Sequence, residues 1–109
     1  MITGETFEKM ALSLPNTGQK SHFDRIGYNV TGKRMFATYL KENNTANIFL
    51  TPDEQAIFCR IDSKNIYPVP NKWGENGATT FDLNRVAREL VHEALISAHD
   101  NVIKKRNKS

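Results

Sequence analysis

The sequence predicts an α+β fold, a mostly antiparallel sheet with helices packed on one side, and three observations predict it. Apolar residues repeat with a period near 3.6 at the start, in the middle and at the end of the chain. Between Gln19 and Thr51 that period falls to two. Strands are therefore grouped instead of alternating with helices, the pattern of a sheet built from hairpins and not from parallel βαβ units. A chain of 109 residues holds one hydrophobic core. The reading is a single domain over residues 1–103 followed by a basic C-terminal tail over 104–109.

The first helix is expected over Ile2 to Leu14. Thr3 is a candidate N-cap, Ile2 can pack on Phe7 as a hydrophobic staple, and Pro15 ends the run. Phe7, Met10, Ala11 and Leu14 fall on one face. Asn16-Thr17-Gly18 then turns the chain into an antiparallel meander. Ile26, Tyr28 and Val30 alternate with polar neighbours, Thr31-Gly32-Lys33 and Asn43-Asn44 supply turns, and Met35–Leu40 and Ala46–Leu50 form the next strands.

Thr51-Pro52-Asp53-Glu54 is the clearest helix start in the chain: a capping threonine, proline at N1 and glutamate at N3. Ile57, Phe58 and Ile61 are expected on the buried side of this helix. Cys59, the single cysteine, reads as a small apolar residue of the same helix.

The stretch Tyr67 to Thr80 organises the rest. Pro68 and Pro70 force it to run extended and exclude a helix, while Asn76-Gly77 favours a tight turn into a strand at Ala78 to Phe81. A long closing helix is expected from a cap at Asp82, its stripe running through Leu83, Val86, Ala87, Leu90, Val91, Ala94, Leu95, Ala98 and Val102.

Composition narrows the function classes. No apolar run approaches the roughly 20 residues of a membrane span, no signal peptide is visible, and one cysteine excludes an internal disulfide, so a soluble, cytoplasmic protein is expected. The net charge of +3 comes from the tail: Lys104, Lys105, Arg106 and Lys108 leave residues 1–103 with 11 basic and 12 acidic groups.

Catalytic and metal signals are thin. His92-Glu93 resembles the start of a zincin motif, but Ile96 stands where the second histidine belongs. His99 lies about 10 Å further along the helix, too far to share a zinc. Both histidines are therefore expected at the surface. His22 beside Asp24 has no nucleophile placed next to it, and the glycines lack the spacing of a phosphate-binding loop. No enzyme, cofactor or metal is expected.

Nucleic acid is the stronger chemical reading. Lys20, Arg25, Lys33, Arg34 and Lys41 fall within residues 19–41, where Asp24 is the single acid. This basic hairpin region suits phosphates. Trp73 beside Lys72 has two readings: a plug in the core where its segment crosses the sheet, which is the plainer, or a platform for a base. The candidate DNA-binding residues are thus Lys20, Arg25, Lys33, Arg34, Lys72 and Trp73. The alternative is a small-molecule or protein-partner site in the groove between the Tyr67–Thr80 segment and the sheet. Cations facing one way favour DNA, whereas cations scattered around an apolar pocket favour the alternative.

Seven motifs in order resemble the MmcQ/YjbR family across nearly the whole chain. They are Leu14-Pro15, His22-Phe23, Gly32-Lys33 leading to Met35-Phe36-Ala37, Leu50 to Ala56, Tyr67-Pro68-Val69-Pro70, Lys72-Trp73-Gly74 with Gly77, and the closing helix. The resemblance implies a frataxin-like (CyaY-like) fold whose hairpins are described as a double wing proposed to contact DNA, and the chain as a whole reads as a non-enzymatic, monomeric DNA-binding module. Ala78 departs from the pattern, in which a bulky aromatic often follows the glycine. Frataxin-like iron binding would need clustered carboxylates, and the first helix offers Glu5 and Glu8 alone.

Overall fold

The computed structural model describes residues 1–105; the side chains of His22, half of the predicted His22/Asp24 pair, and of Lys105 lie outside what is described. In chain order the elements are α1 (Gly4–Leu12), β1 (Thr17–His22), β2 (Arg25–Val30), β3 (Met35–Leu40), β4 (Thr45–Phe49), α2 (Pro52–Ile61), β5 (Ile66–Pro68), α3 (Lys72–Glu75), β6 (Ala78–Asp82) and α4 (Arg88–Lys105). The six strands form one antiparallel sheet in the order β1-β2-β3-β4-β6-β5. The α+β architecture with helices on one side is thus as predicted.

Strand register assigns the two faces. Tyr28 lies opposite Ala37, Ala37 opposite Ile48, Ala46 opposite Phe81 and Phe81 opposite Ile66, and directly opposed residues share a face. All six are buried beneath the helices. The intervening positions, among them Arg25, Asn29, Thr38, Asn47 and Thr80, form the other face. There Arg25 donates to Thr38 at 3.4 Å and Thr80 to Asn47 at 2.8 Å.

A bulge interrupts this alternation. Register passes from Tyr28–Ala37 to Asn29–Met35, which leaves Phe36 without a partner across the pair. An extra residue of this kind re-aims its side chain. Phe36 is fully buried, edge-on to His99 of α4 with centroids 5.5 Å apart.

The helix caps follow the sequence closely. The Thr3 side chain accepts from Thr6 N, and Thr51 and Glu54 form the reciprocal capping box. Helix α1 is shorter than predicted, and β1 starts at Thr17, two residues before the predicted change of period. A two-residue turn at Phe23-Asp24, with Phe23 at φ 57°, divides what reads as one strand region into β1 and β2. The turns at Gly32 (φ 79°) and Asn44 (φ 55°) stand where predicted. Asn44 also joins three segments: it accepts from the Tyr39 hydroxyl at 2.8 Å and donates to Ile2 O and Asn84 Oδ1, each at 3.1 Å.

Five expectations need correction. Ile57 and Ile61 are 54% and 59% exposed, leaving Phe58 as the buried residue of α2, because the helix meets the sheet along one narrow line through Phe58 and Phe81. Tyr67 to Thr80 does contain a helix, the single turn α3 between the second proline and Gly77. The closing helix begins at Arg88. Asp82 ends β6 opposite Thr45, and its carboxylate accepts from Asn84 N at 3.0 Å, so Leu83 and Val86 are buried from a turn. His99 is 4% exposed, not at the surface, and Trp73 is 66% exposed, not a core plug.

Helix α4 continues through Lys105, so Lys104 belongs to the helix and not to a tail; Arg106 and Lys108 of the predicted tail lie outside the described residues. Among the described residues no helix is long and apolar enough to cross a membrane.

Candidate nucleic-acid interface

The antiparallel meander puts alternate turns at opposite ends of the sheet, and this divides the predicted cations. Arg25 pairs with both His22 and Leu40, so Arg25 and Lys41 gather at the Phe23 end, while Lys20, opposite Gly27, lies midway along β1. Lys33 and Arg34 occupy the turn from Val30 to Met35 at the other end. The two groups are about 17 Å apart at the rise of a strand. They do not make one continuous basic hairpin.

At the Arg34 end lies an open cleft of about 930 Å³. Met35, Phe49 and Ala78 supply its wall from the sheet, Leu50, Thr51 and Pro52 come from the link after β4 and the start of α2, Trp73 and Asn76 from α3 and its turn, and Asn101, Val102 and Lys104 from α4. Two of the six candidates, Arg34 and Trp73, line it directly; Lys33 and Lys72 are their exposed sequence neighbours. Lys33, Arg34 and Lys72 form no ion pair among the described residues, while Lys104 reaches Asp100 at 3.9 Å.

The indole stands where it does because α3 is tightly held. Asn71, at φ 79°, caps the turn by accepting from Trp73 N at 2.9 Å. The Gln55 amide of α2 donates to Gly74 O at 2.9 Å, Ala78 O at 3.0 Å and Thr79 Oγ1 at 3.2 Å, stitching α3 and β6 to α2. Gly74 packs so closely on the Val69 carbonyl that a Cβ would collide with it. Gly77 combines φ 114° with the same closeness to the Leu50 carbonyl, which restricts both positions to glycine. Phe49 supports the ring, with centroids 6.3 Å apart and planes tilted by 31°. The rest of the indole faces solvent.

The opposite end has a smaller cleft of about 540 Å³, formed by Ser21, Phe23, Asp24, Arg25, Ile26, Lys41 and Glu42. Its two acids offset its two cations, so it offers phosphate less than the Arg34 end does. Among the described residues no three or more His, Cys, Asp or Glu side chains come together as a metal site. Burial pushes the Cys59 thiol up from its ordinary value, which keeps it protonated and a poor nucleophile at neutral pH.

Sequence reasoning missed Phe49, Asn76, Asn101 and Lys104 as cleft residues. Phe49 was readable: with Ala46 and Ile48 facing the helices, period two places Asn47 and Phe49 on the other face. Asn76, Asn101 and Lys104 carry no local signal, because tertiary packing alone brings α3 and α4 to one end of the sheet.

No family model matches the chain, and no curated protein matches it significantly. Among solved structures, the crystal structure of Deinococcus radiodurans protein DR2400, described by the family-model domain DUF419, superposes with a TM-score of 0.80 at 16% sequence identity. The match covers 100% of this chain and 83% of that one. DUF419 is the MmcQ/YjbR-like family, a domain of unknown function. The likeness establishes the shared fold and carries nothing about ligands.

Proposed function

We propose that this chain is a non-enzymatic, monomeric DNA-binding module that acts through the cleft at the Arg34 end of the sheet. Lys33, Arg34 and Lys72 contact phosphates, with Lys104 at the margin, and Trp73 stacks on a base. The observation that carries the reading is the exposed, clamped indole of Trp73 in one cleft with Arg34, which has no ion-pair partner among the described residues. Phosphate contacts supply most of the affinity of such a site, and an aromatic face adds stacking that tolerates any base. Lys20 and Arg25 stand outside this site and contribute long-range attraction.

A second reading has support from the cleft itself. Its volume lies within the range of small-molecule pockets, and its lining of apolar side chains with two asparagines and two cations suits an anionic ligand bearing an aromatic ring.

The test is a titration of labelled DNA into the full chain, following anisotropy and Trp73 fluorescence at several salt concentrations. A variant with Arg106 and Lys108 replaced by alanine removes two cations of the C-terminal end. Binding by both proteins that weakens steeply with salt and changes Trp73 emission supports the DNA reading. Absence of binding, or binding lost with Arg106 and Lys108, overturns it and favours a small anionic ligand.

A further inference from the structure

We infer that the cleft accommodates an unpaired base, so that single-stranded DNA is bound in preference to duplex. This rests on the reading of the cleft as a DNA site and narrows the class of DNA it takes.

Three observations converge. The first is the indole of Trp73, 66% exposed and backed by Phe49, a flat surface held in place by the Gln55 and Asn71 contacts. A base inside a duplex has both faces covered by its neighbours and offers this ring nothing, whereas an unstacked base offers a whole face.

The second is the lining beside the ring. Leu50, Ala78 and Val102 are buried apolar residues, so the recess next to Trp73 receives a flat apolar face better than a phosphate. Asn76 lies beside it with its side-chain amide engaged in no hydrogen bond among the described residues, and Asn101 commits its Nδ2 to Glu54 at 2.9 Å. An amide of this kind offers both a donor and an acceptor to the edge of a base, an edge that pairing in a duplex would occupy.

The third is the shape of the basic turn. Four residues, 31–34, separate β2 from β3, and Lys33 N bonds to Val30 O at 2.7 Å, which pins the turn to the strand ends. So short a projection places Lys33 and Arg34 at the rim, where they track a backbone, and does not extend far enough to read base pairs in a groove about 8.5 Å deep.

The test compares a labelled oligothymidylate of about twelve nucleotides, an oligomer of abasic sites of the same length, and a duplex of the same length, each bound to the full chain at one low salt concentration. Trp73→Ala and Trp73→Phe are measured alongside, with circular dichroism as a check of folding. The expected result is binding of the oligothymidylate about tenfold tighter than either the duplex or the abasic oligomer, loss of that margin in Trp73→Ala, and its partial recovery in Trp73→Phe. Equal, salt-dependent binding of all three probes, unchanged by Trp73→Ala, overturns the inference while the broader DNA reading stands. Failure of every probe to bind overturns both.

Discussion

The indole of Trp73 leans on the ring of Phe49 at a centroid distance of 6.3 Å, outside the core and at the mouth of the cleft. A tryptophan so placed contributes to a surface more than to stability. Trp73→Ala is expected to cost within about 0.5 kcal/mol, as exposed substitutions do, against the roughly 3–5 kcal/mol of removing a buried tryptophan. Urea unfolding of the two proteins distinguishes these values, and a loss in the larger range would show that the ring is packed.

The support beneath that ring is energetically different. Gln55→Ala removes the amide that bonds Gly74 O, Ala78 O and Thr79 Oγ1, so the link from α2 to α3 and β6 is lost, although Gly74 O still accepts from Gly77 N and Ala78 O from Val69 N. The expected cost is about 1–3 kcal/mol. The same substitution frees α3 to move, so steady-state Trp73 anisotropy should fall in the folded protein. Unchanged anisotropy would mean that Gly74, Gly77 and the Asn71 cap hold the turn without Gln55.

His99 ties the closing helix to the segment after α1. Its Nε2 lies 2.8 Å from the Pro15 carbonyl, and since that oxygen can only accept, the proton resides on Nε2. With the ring also edge-on to Phe36, His99→Ala loses a buried hydrogen bond and opens a cavity, at an expected cost of about 2–4 kcal/mol in thermal or urea unfolding. A cost below about 0.5 kcal/mol would contradict its structural role.

These three residues mark where the sequence was and was not legible. Caps, turns and strand pairing depend on near neighbours: Thr51 with Glu54, Gly32 and Asn44 at positive φ, and period two in β2 to β4. The fold class and most element positions therefore followed from local chemistry. Trp73 and His99 exchanged their expected places because hydrophobicity alone does not say which side of an element is covered. A four-residue helix turned the indole outward, and a one-residue bulge brought Phe36 against an imidazole expected at the surface once the zincin spacing had failed. The candidate site was half legible for the same reason. Its residue types were visible, but which cations share an end of the sheet depends on the Phe23-Asp24 turn, which carries no glycine or asparagine.

Alkaline stability should report on the aromatic core. Burial, with the Glu8 carboxylate and then Tyr39 nearby, pushes the Tyr28 phenol up to about 12, and burial raises Tyr39 as well. A folded-state value above the unfolded value of about 10 means that the unfolded chain releases its proton first. The contribution of Tyr28 is therefore complete below pH 10 and is lost as pH rises from 10 through about 12. Denaturant midpoints should fall across that window, and Tyr28→Phe should flatten the fall. An equally steep fall in Tyr28→Phe would place the titrating group elsewhere.

The division of the cations between two ends of the sheet makes the position of the interface directly measurable. The comparison is between Lys33→Ala/Arg34→Ala/Lys72→Ala and Lys20→Ala/Arg25→Ala, each in the full chain, by anisotropy of labelled single-stranded DNA across salt concentrations. If the cleft at the Arg34 end is the interface, the triple variant binds more weakly and its log–log salt slope is shallower by about 2, while the double variant keeps a slope near that of the unsubstituted chain. A shallower slope in the double variant, with the triple variant unaffected, would place the interface at the Phe23 end and contradict the account.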